Sequence, residues 1–270
     1  MRGWWHEIAG LVLPVACAGC GLPRTELCPV CADGLAGGGE GPRRVRPSPE
    51  PAGLPVVHAA VPYAGAVRDV LLAHKERGAL ALAGPLGGAL AGAVETAAGP
   101  VERLGPGPLL LVPVPSSRRS VRARGHDPTR RIARAAAARL RRSGRAARMV
   151  PVLRQRRSVA DQAGLGARGR LANLSGALEV VPGGGRLLAA GKVVLVDDLM
   201  TTGASLAEAA RALGAVHLPF ISGGIPGGSA DGFTQHGFEQ RVAAVIASSP
   251  ASFELNRNSP GTWIVAGGER

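Results

Sequence analysis

The chain has 270 residues, 46% of them hydrophobic and 3% aromatic, with 32 Lys+Arg against 19 Asp+Glu and a formal charge of +13. That length accommodates one sizeable domain and a smaller module, and the apolar fraction excludes a wholly disordered basic protein. The charge is clustered: residues 116–170 hold 17 Arg and two acidic residues, a net +15, while the rest of the chain carries 15 basic and 17 acidic residues. The positive field is therefore expected on one surface.

In chain order, the first feature is the apolar run Ile8–Ala16 after Arg2, which loosely imitates a signal peptide with Cys17 in a lipobox-like place. Pro14 breaks it, Glu7 sits near its start, and processing there would destroy the cysteine set that follows. A cytoplasmic protein is the expectation. All four cysteines come next, as C-x2-C-x7-C-x2-C: Cys17, Cys20, Cys28 and Cys31. Two such knuckles suit a tetrahedral, structural Zn²⁺. The other reading is a pair of disulfides or redox dithiols, although nothing else in the chain points to an oxidising compartment. Residues 1–35 thus read as a zinc-ribbon-like module, and the Gly-, Pro- and charge-rich stretch 36–55 as a linker.

Beyond the linker, strand and helix patterns alternate. Val56–Pro62 reads as a strand, and helical spacing follows through Val67, Val70 and Leu71 and again over 79–98. Ala79–Val94 is uncharged but carries Pro85 and four glycines, and falls short of the roughly 20 apolar residues a spanning helix needs, so a buried helix and no membrane span are expected. Leu109–Val114 and Val193–Val196 suit strands covered on both faces, Met149–Leu153 suggests another, and Pro128–Arg142 is helical with Asp127 as its cap. This alternation predicts an α/β fold with a mostly parallel sheet flanked by helices, and ligands at the carboxyl ends of its strands.

The loops after Val114 and Val196 are therefore the places to inspect. After Val196 come Asp197 and Asp198, then Leu199-Met200-Thr201-Thr202-Gly203-Ala204-Ser205, then a helix over Leu206–Leu213. Amides at a helix start, with the hydroxyls of Thr201, Thr202 and Ser205, can cradle a phosphate dianion, and Gly203 permits close approach. Two carboxylates can accept hydrogen bonds from vicinal ribose hydroxyls and stabilise positive charge at an anomeric carbon. A plain helix cap at Asp198 or Thr201 explains one residue and not the ordered set.

This segment resembles the phosphoribosyl pyrophosphate (PRPP) signature of type I phosphoribosyltransferases, and the chain as a whole resembles the ComF family associated with bacterial competence. That family joins a four-cysteine zinc module to a phosphoribosyltransferase-like domain, here 56–258 with a tail over 259–270. Further matches are Tyr63-Ala64-Gly65, Lys75-Glu76-Arg77-Gly78, Val112-Pro113-Val114-Pro115, Arg124-Gly125, Arg157, Gln162, Arg168, Asn173, Gly176 and the stretch Ser249–Asn258. The resemblance implies that Asp197 and Asp198 bind ribose and Thr201, Thr202, Gly203, Ala204 and Ser205 the 5′-phosphate. It also implies that Pro115, Ser116 and Ser117 form the pyrophosphate loop, with Mg²⁺ carried by the ligand's oxygens, and that 154–170 falls where a hood covers the site. Two departures stand out: His126-Asp127 where many members have Phe-Asn, and a Gly-rich insertion over about 216–240 before a final strand Arg241–Ala247.

Three functional readings follow. One is a transferase of ribose 5-phosphate from PRPP to a nitrogenous acceptor, and another a PRPP sensor without turnover. The third is an accessory protein of DNA uptake that contacts single-stranded DNA through the Arg-rich 116–170 stretch and docks a helicase-like partner. Eight aromatics in the whole chain argue against strand binding by stacking, so such contact should be electrostatic.

Overall fold

A computed structural model describes residues 15–100, 107–157, 169, 173–216 and 242–257. Its frame is a six-stranded sheet in the order β1-β2-β8-β7-β3-β4. The strands are β1 (Arg43–Val45), β2 (Val56–Pro62), β3 (Leu109–Pro113), β4 (Ala147–Met149), β7 (Lys192–Met200) and β8 (Val242–Ser248). All neighbours run parallel except β1, which pairs antiparallel with β2. β5 (Leu153–Gln155) and β6 (Leu178–Val180) form a separate antiparallel ribbon.

The central strands are buried along nearly their whole length because helices cover both faces, as a parallel sheet requires. On one face Leu109, Leu111, Val194, Val196 and Ile246 meet Leu86, Leu90 and Val94 of α3 (Ala83–Ala98) and Ile132, Ala136 and Leu140 of α5 (Pro128–Arg142). On the other, Val112, Leu195, Ala243 and Val245 meet Leu206, Ala209 and Leu213 of α7 (Ala204–Gly214), together with Leu153 and Leu178 of the ribbon. The remaining helices are α1 (Pro29–Ala36), α2 (Gly65–Glu76), α4 (Arg118–Arg124), α6 (Gly184–Leu188) and α8 (Pro250–Arg257).

α5 starts as its sequence predicts: the Asp127 carboxylate accepts the Arg130 N–H at 3.0 Å, and Pro128 occupies the first turn. The apolar stretch Leu80–Ala98 is the described segment long and apolar enough to cross a membrane, and it packs on α5 and β8 with 56% of its apolar window buried.

Four expectations change. The stretch 36–55 is no simple linker, since it supplies edge strand β1, and the Arg46 N–H reaches the Ser252 carbonyl of α8 at 3.4 Å. The expected strand Met149–Leu153 is two strands in different sheets. Pro151 has no N–H to donate, and the chain crosses there from β4 to β5. β7 runs on to Met200, so Asp197 and Asp198 are strand residues and the turn shrinks to Thr201–Gly203. The last strand, expected over Arg241–Ala247, runs on to Ser248, and Arg241 lies outside the described residues. The apolar run from Ile8, the insertion at 217–240, Gln162, Arg168 and the 259–270 tail lie outside the described residues.

Candidate metal centre and cleft

The four cysteines converge. In the first knuckle the Cys17 N–H donates to the Leu22 carbonyl and the Gly21 N–H to the Cys17 carbonyl, both at 2.8 Å, which turns Cys17 and Cys20 inward. In the second, Cys28 is the N-cap of α1, and its sulfur accepts the Cys31 N–H at 3.4 Å. The Cys28 N–H donates to the Cys17 sulfur at 3.3 Å, tying the knuckles together. Gly19 is required by space, for a Cβ there would lie 2.8 Å from the Cys31 sulfur.

All four sulfurs lie within 4.8 Å of one another, and those of Cys20 and Cys28 are 3.6 Å apart. A tetrahedron with metal–sulfur bonds of about 2.3 Å has edges of about 3.8 Å, so the donor set fits one four-coordinate cation. The thiols are free, and they converge on one point rather than pairing as two bridges. Burial pushes the Cys17 thiol up, but N–H groups of Cys28, Cys20 and Gly19 outweigh it and bring it down to about 6. Burial and the neighbouring sulfurs hold Cys31 well above the ordinary thiol range. With all four donors protein thiols, no position stays open for a catalytic water.

The second feature lies at the carboxyl ends of the adjacent parallel strands β3 and β7. Pro113 is in register with Val196, and the Val114 N–H donates to the Val196 carbonyl at 2.9 Å, so the turn after β3 sits beside the turn after β7. A cleft of about 1370 Å³ opens over both, and Pro115, Ser116, Ser117, Asp197, Asp198, Thr201 and Ser205 line it. Ser117 also caps α4, accepting the Ser120 N–H at 3.0 Å. Thr202, Gly203 and Ala204 do not line the cleft. Ala204 is buried, the Thr202 hydroxyl lies 3.5 Å from the Ala204 N–H, and Gly203 caps α7 with a left-handed φ of +74°. A Cβ on Gly203 would lie 2.9 Å from Leu54, so this glycine serves conformation and packing together. With Gly203 as N-cap, neither Asp198 nor Thr201 is the helix cap.

The acidic pair is asymmetric. Asp198 is 5% exposed and its Oδ2 accepts from Lys75 Nζ at 2.7 Å. Burial alone would raise its pKa, but the Lys75 ammonium overrides that and holds the carboxyl below the usual carboxylate range. Asp197 accepts the Asp198 N–H at 2.9 Å, and burial, followed by the Asp198 charge, pushes its carboxyl well up. Lys75 itself is pushed up by the Asp198 charge.

Sequence reasoning gave Lys75 no role, and it took Arg118, Arg119 and Arg156, which line the cleft together with Gln155, only as part of the Arg-rich stretch. One signal was available, since Lys75 is one of only two lysines among 32 basic residues. The Arg-rich stretch divides in three dimensions. Arg124 pairs with Glu76, Arg130 with Asp127 and Arg154 with Glu179, while Arg141 and Arg145 donate to backbone carbonyls. Arg118, Arg119, Arg122, Arg131, Arg134, Arg139, Arg142 and Arg148 are exposed and form no ion pair among the described residues.

Fold and site together define a mixed α/β protein with a mostly parallel sheet, an N-terminal four-cysteine cluster and a cleft lined by two aspartates and several arginines. The chain matches no protein-family model and no curated protein sequence.

Proposed function

We propose that this is a phosphoribosyltransferase-like protein of the ComF type, whose cleft binds PRPP or a related phosphoribosyl ligand. The observation that carries the reading is the meeting of the β3 turn and the β7–α7 segment in one cleft at neighbouring strand ends. There the carboxylates face a polyhydroxyl centre, Thr201 and Ser205 a terminal phosphate, and Ser116 and Ser117 a pyrophosphate. Arg118, Arg119 and Arg156 supply the guanidinium groups that recognise phosphate oxygens. Mg²⁺ brought in on the ligand's oxygens would neutralise the leaving group. In the transferase form of the reading, the lone pair of an acceptor nitrogen bonds to C1 of the ribose as the C1–pyrophosphate bond breaks, with inversion. Zn²⁺ held by Cys17, Cys20, Cys28 and Cys31 would cross-link the N-terminal module.

The test is thermal unfolding with PRPP and Mg²⁺, followed by pyrophosphate release with each nucleobase. A ligand that binds the folded state raises its apparent stability. Protection lost in Asp197→Asn supports the site, and release of pyrophosphate supports turnover; protection without release selects the sensor reading. No protection at millimolar PRPP sinks the assignment.

A second reading is favoured by one observation, the exposed arginines of α4, α5 and β4. They suit a polyanion such as single-stranded DNA, consistent with a cytoplasmic accessory of DNA uptake with a helicase-like partner. Replacing Arg131 and Arg134 by Ala should flatten the salt dependence of strand binding, and an unchanged slope counts against this reading.

A further inference from the structure

Two carboxylates that the sequence sets side by side have different partners: Asp198 the Lys75 ammonium, Asp197 the Asp198 N–H. Val194 and Val196 pack with α3 and α5, whereas Leu195 packs on the α7 side. Beyond Val196 this alternation does not hold, since Leu199 packs with the first cluster and Met200 with the second, and the side of Asp198 is fixed by its contact with α2, whose Val70 and Leu71 belong to the first cluster. On that side Asp198 meets Lys75, which stands at the last turn of α2 and lines the cleft with about a third of its side chain exposed.

That turn is fixed on both sides of the lysine. His74 is wholly buried, with its Nδ1 3.1 Å from the Ala79 carbonyl and its own carbonyl 3.2 Å from His126 Nε2. Glu76 accepts two hydrogen bonds from Arg124, at 2.6 and 2.8 Å. The backbone from which the lysine extends is thus tied down on both sides, and the partner of its ammonium is Asp198. A carboxylate as buried as Asp198 needs such a partner, because an unpaired buried charge is strongly destabilising.

We propose that Lys75 is a positioning residue of the cleft: it commits Asp198 to the protein framework and leaves Asp197 as the carboxylate that meets the hydroxyl groups of the ligand. The ligand's identity rests on the phosphoribosyl reading; the division of labour between the carboxylates does not. The charged groups around Asp198 are Lys75 from α2 and Asp197 from β7 itself, and Arg124 of α4, already paired with Glu76, acts on Lys75 from outside.

The test has two arms, both on the full chain. In the first, aspartate carboxyl carbons are labelled with ¹³C, assigned with Asp197→Asn and Asp198→Asn, and followed through a pH titration. Asp198 should stay ionised to lower pH than an ordinary aspartate, and Lys75→Met should move its titration upward. Lys75→Arg should restore it. An Asp198 titration that Lys75→Met leaves unmoved overturns the proposal.

In the second arm, PRPP affinity is measured with Mg²⁺. Asp197→Asn should weaken binding by about tenfold or more, a change of roughly 1.4 kcal/mol. Asp198→Asn, Lys75→Met and the double variant should weaken it less than Asp197→Asn does, and the double variant should be no worse than either single one, because all three break the same pair. A larger loss in Asp198→Asn than in Asp197→Asn overturns the proposal. The double variant buries no unpaired charge and stands in if Lys75→Met does not fold. Absence of PRPP binding by the unaltered protein overturns the phosphoribosyl reading, while the titration still decides the role of Lys75.

Discussion

Glu208, 4% exposed on α7, accepts the backbone N–H of Leu178 at 2.9 Å, and Arg211, paired with the same carboxylate, donates to the Leu178 carbonyl at 3.0 Å. Two side chains one helical turn apart thus take both backbone groups of a ribbon residue, as a neighbouring strand would. The ribbon they anchor leads into Gln155, Arg156 and Arg157, which line the cleft, so the helix that follows Gly203 also helps to hold these residues.

Glu208→Ala should therefore destabilise the fold by about 2–3 kcal/mol, the range for losing a charged hydrogen-bond partner at a buried site. Urea unfolding followed by circular dichroism measures this. A loss below about 0.5 kcal/mol, ordinary for a surface substitution, would show that the clamp is dispensable.

Replacing Cys17 or Cys28 by Ser should release bound metal and loosen the N-terminal module, because each thiol is one of four donors around one point. Metal content by mass spectrometry under native conditions reads the first effect, and proteolysis near residue 36 the second. Stoichiometric metal retained in either variant contradicts the cluster assignment.

His74 gives a pH signature. Burial, its largest influence, lowers its pKa despite the Ala79 carbonyl, and its Nε2 is buried without a hydrogen-bond partner among the described residues. A histidine whose pKa is lower folded than unfolded binds protons preferentially in the unfolded chain. Its contribution is then fully present above about pH 6.5 and lost as the pH falls toward the folded value. The melting temperature of the protein should drop from pH 7 to pH 5, and the drop should be smaller in His74→Gln. Equal slopes in both proteins would remove His74 as the cause.

Gly203→Ala places a Cβ in the left-handed region and against Leu54. The conformation alone costs about 1–2 kcal/mol, and the contact adds to it. Thermal unfolding should register a loss of at least that size, and Leu54→Ala in the same chain should recover part of it. No recovery would mean that backbone strain alone sets the penalty.

Sequence by itself determined the features that depend on neighbours along the chain. The two cysteine knuckles, the cap at Asp127, the apolar runs that became β3 and the core of β7, and the hydroxyl-rich turn before α7 are all short-range patterns. Spacing and periodicity record them because each is set by local backbone geometry. Within 36–55 the edge strand β1 left no trace, since three residues cannot show a period and their pairing partner lies more than ten residues on. The break at Pro151 was written in the sequence, yet only the sheet shows that the chain changes layers there.

Tertiary structure alone decided how the charges are used. Lys75 and Asp198 are 123 positions apart, and their contact depends on how α2 packs over the end of β7. Of the arginines that make 116–170 so basic, some are spent on Glu76, Asp127, Glu179 and backbone carbonyls, and others remain open to solvent. Composition counts charges, but only the folded surface sets which of them are neutralised at contact and which project a field.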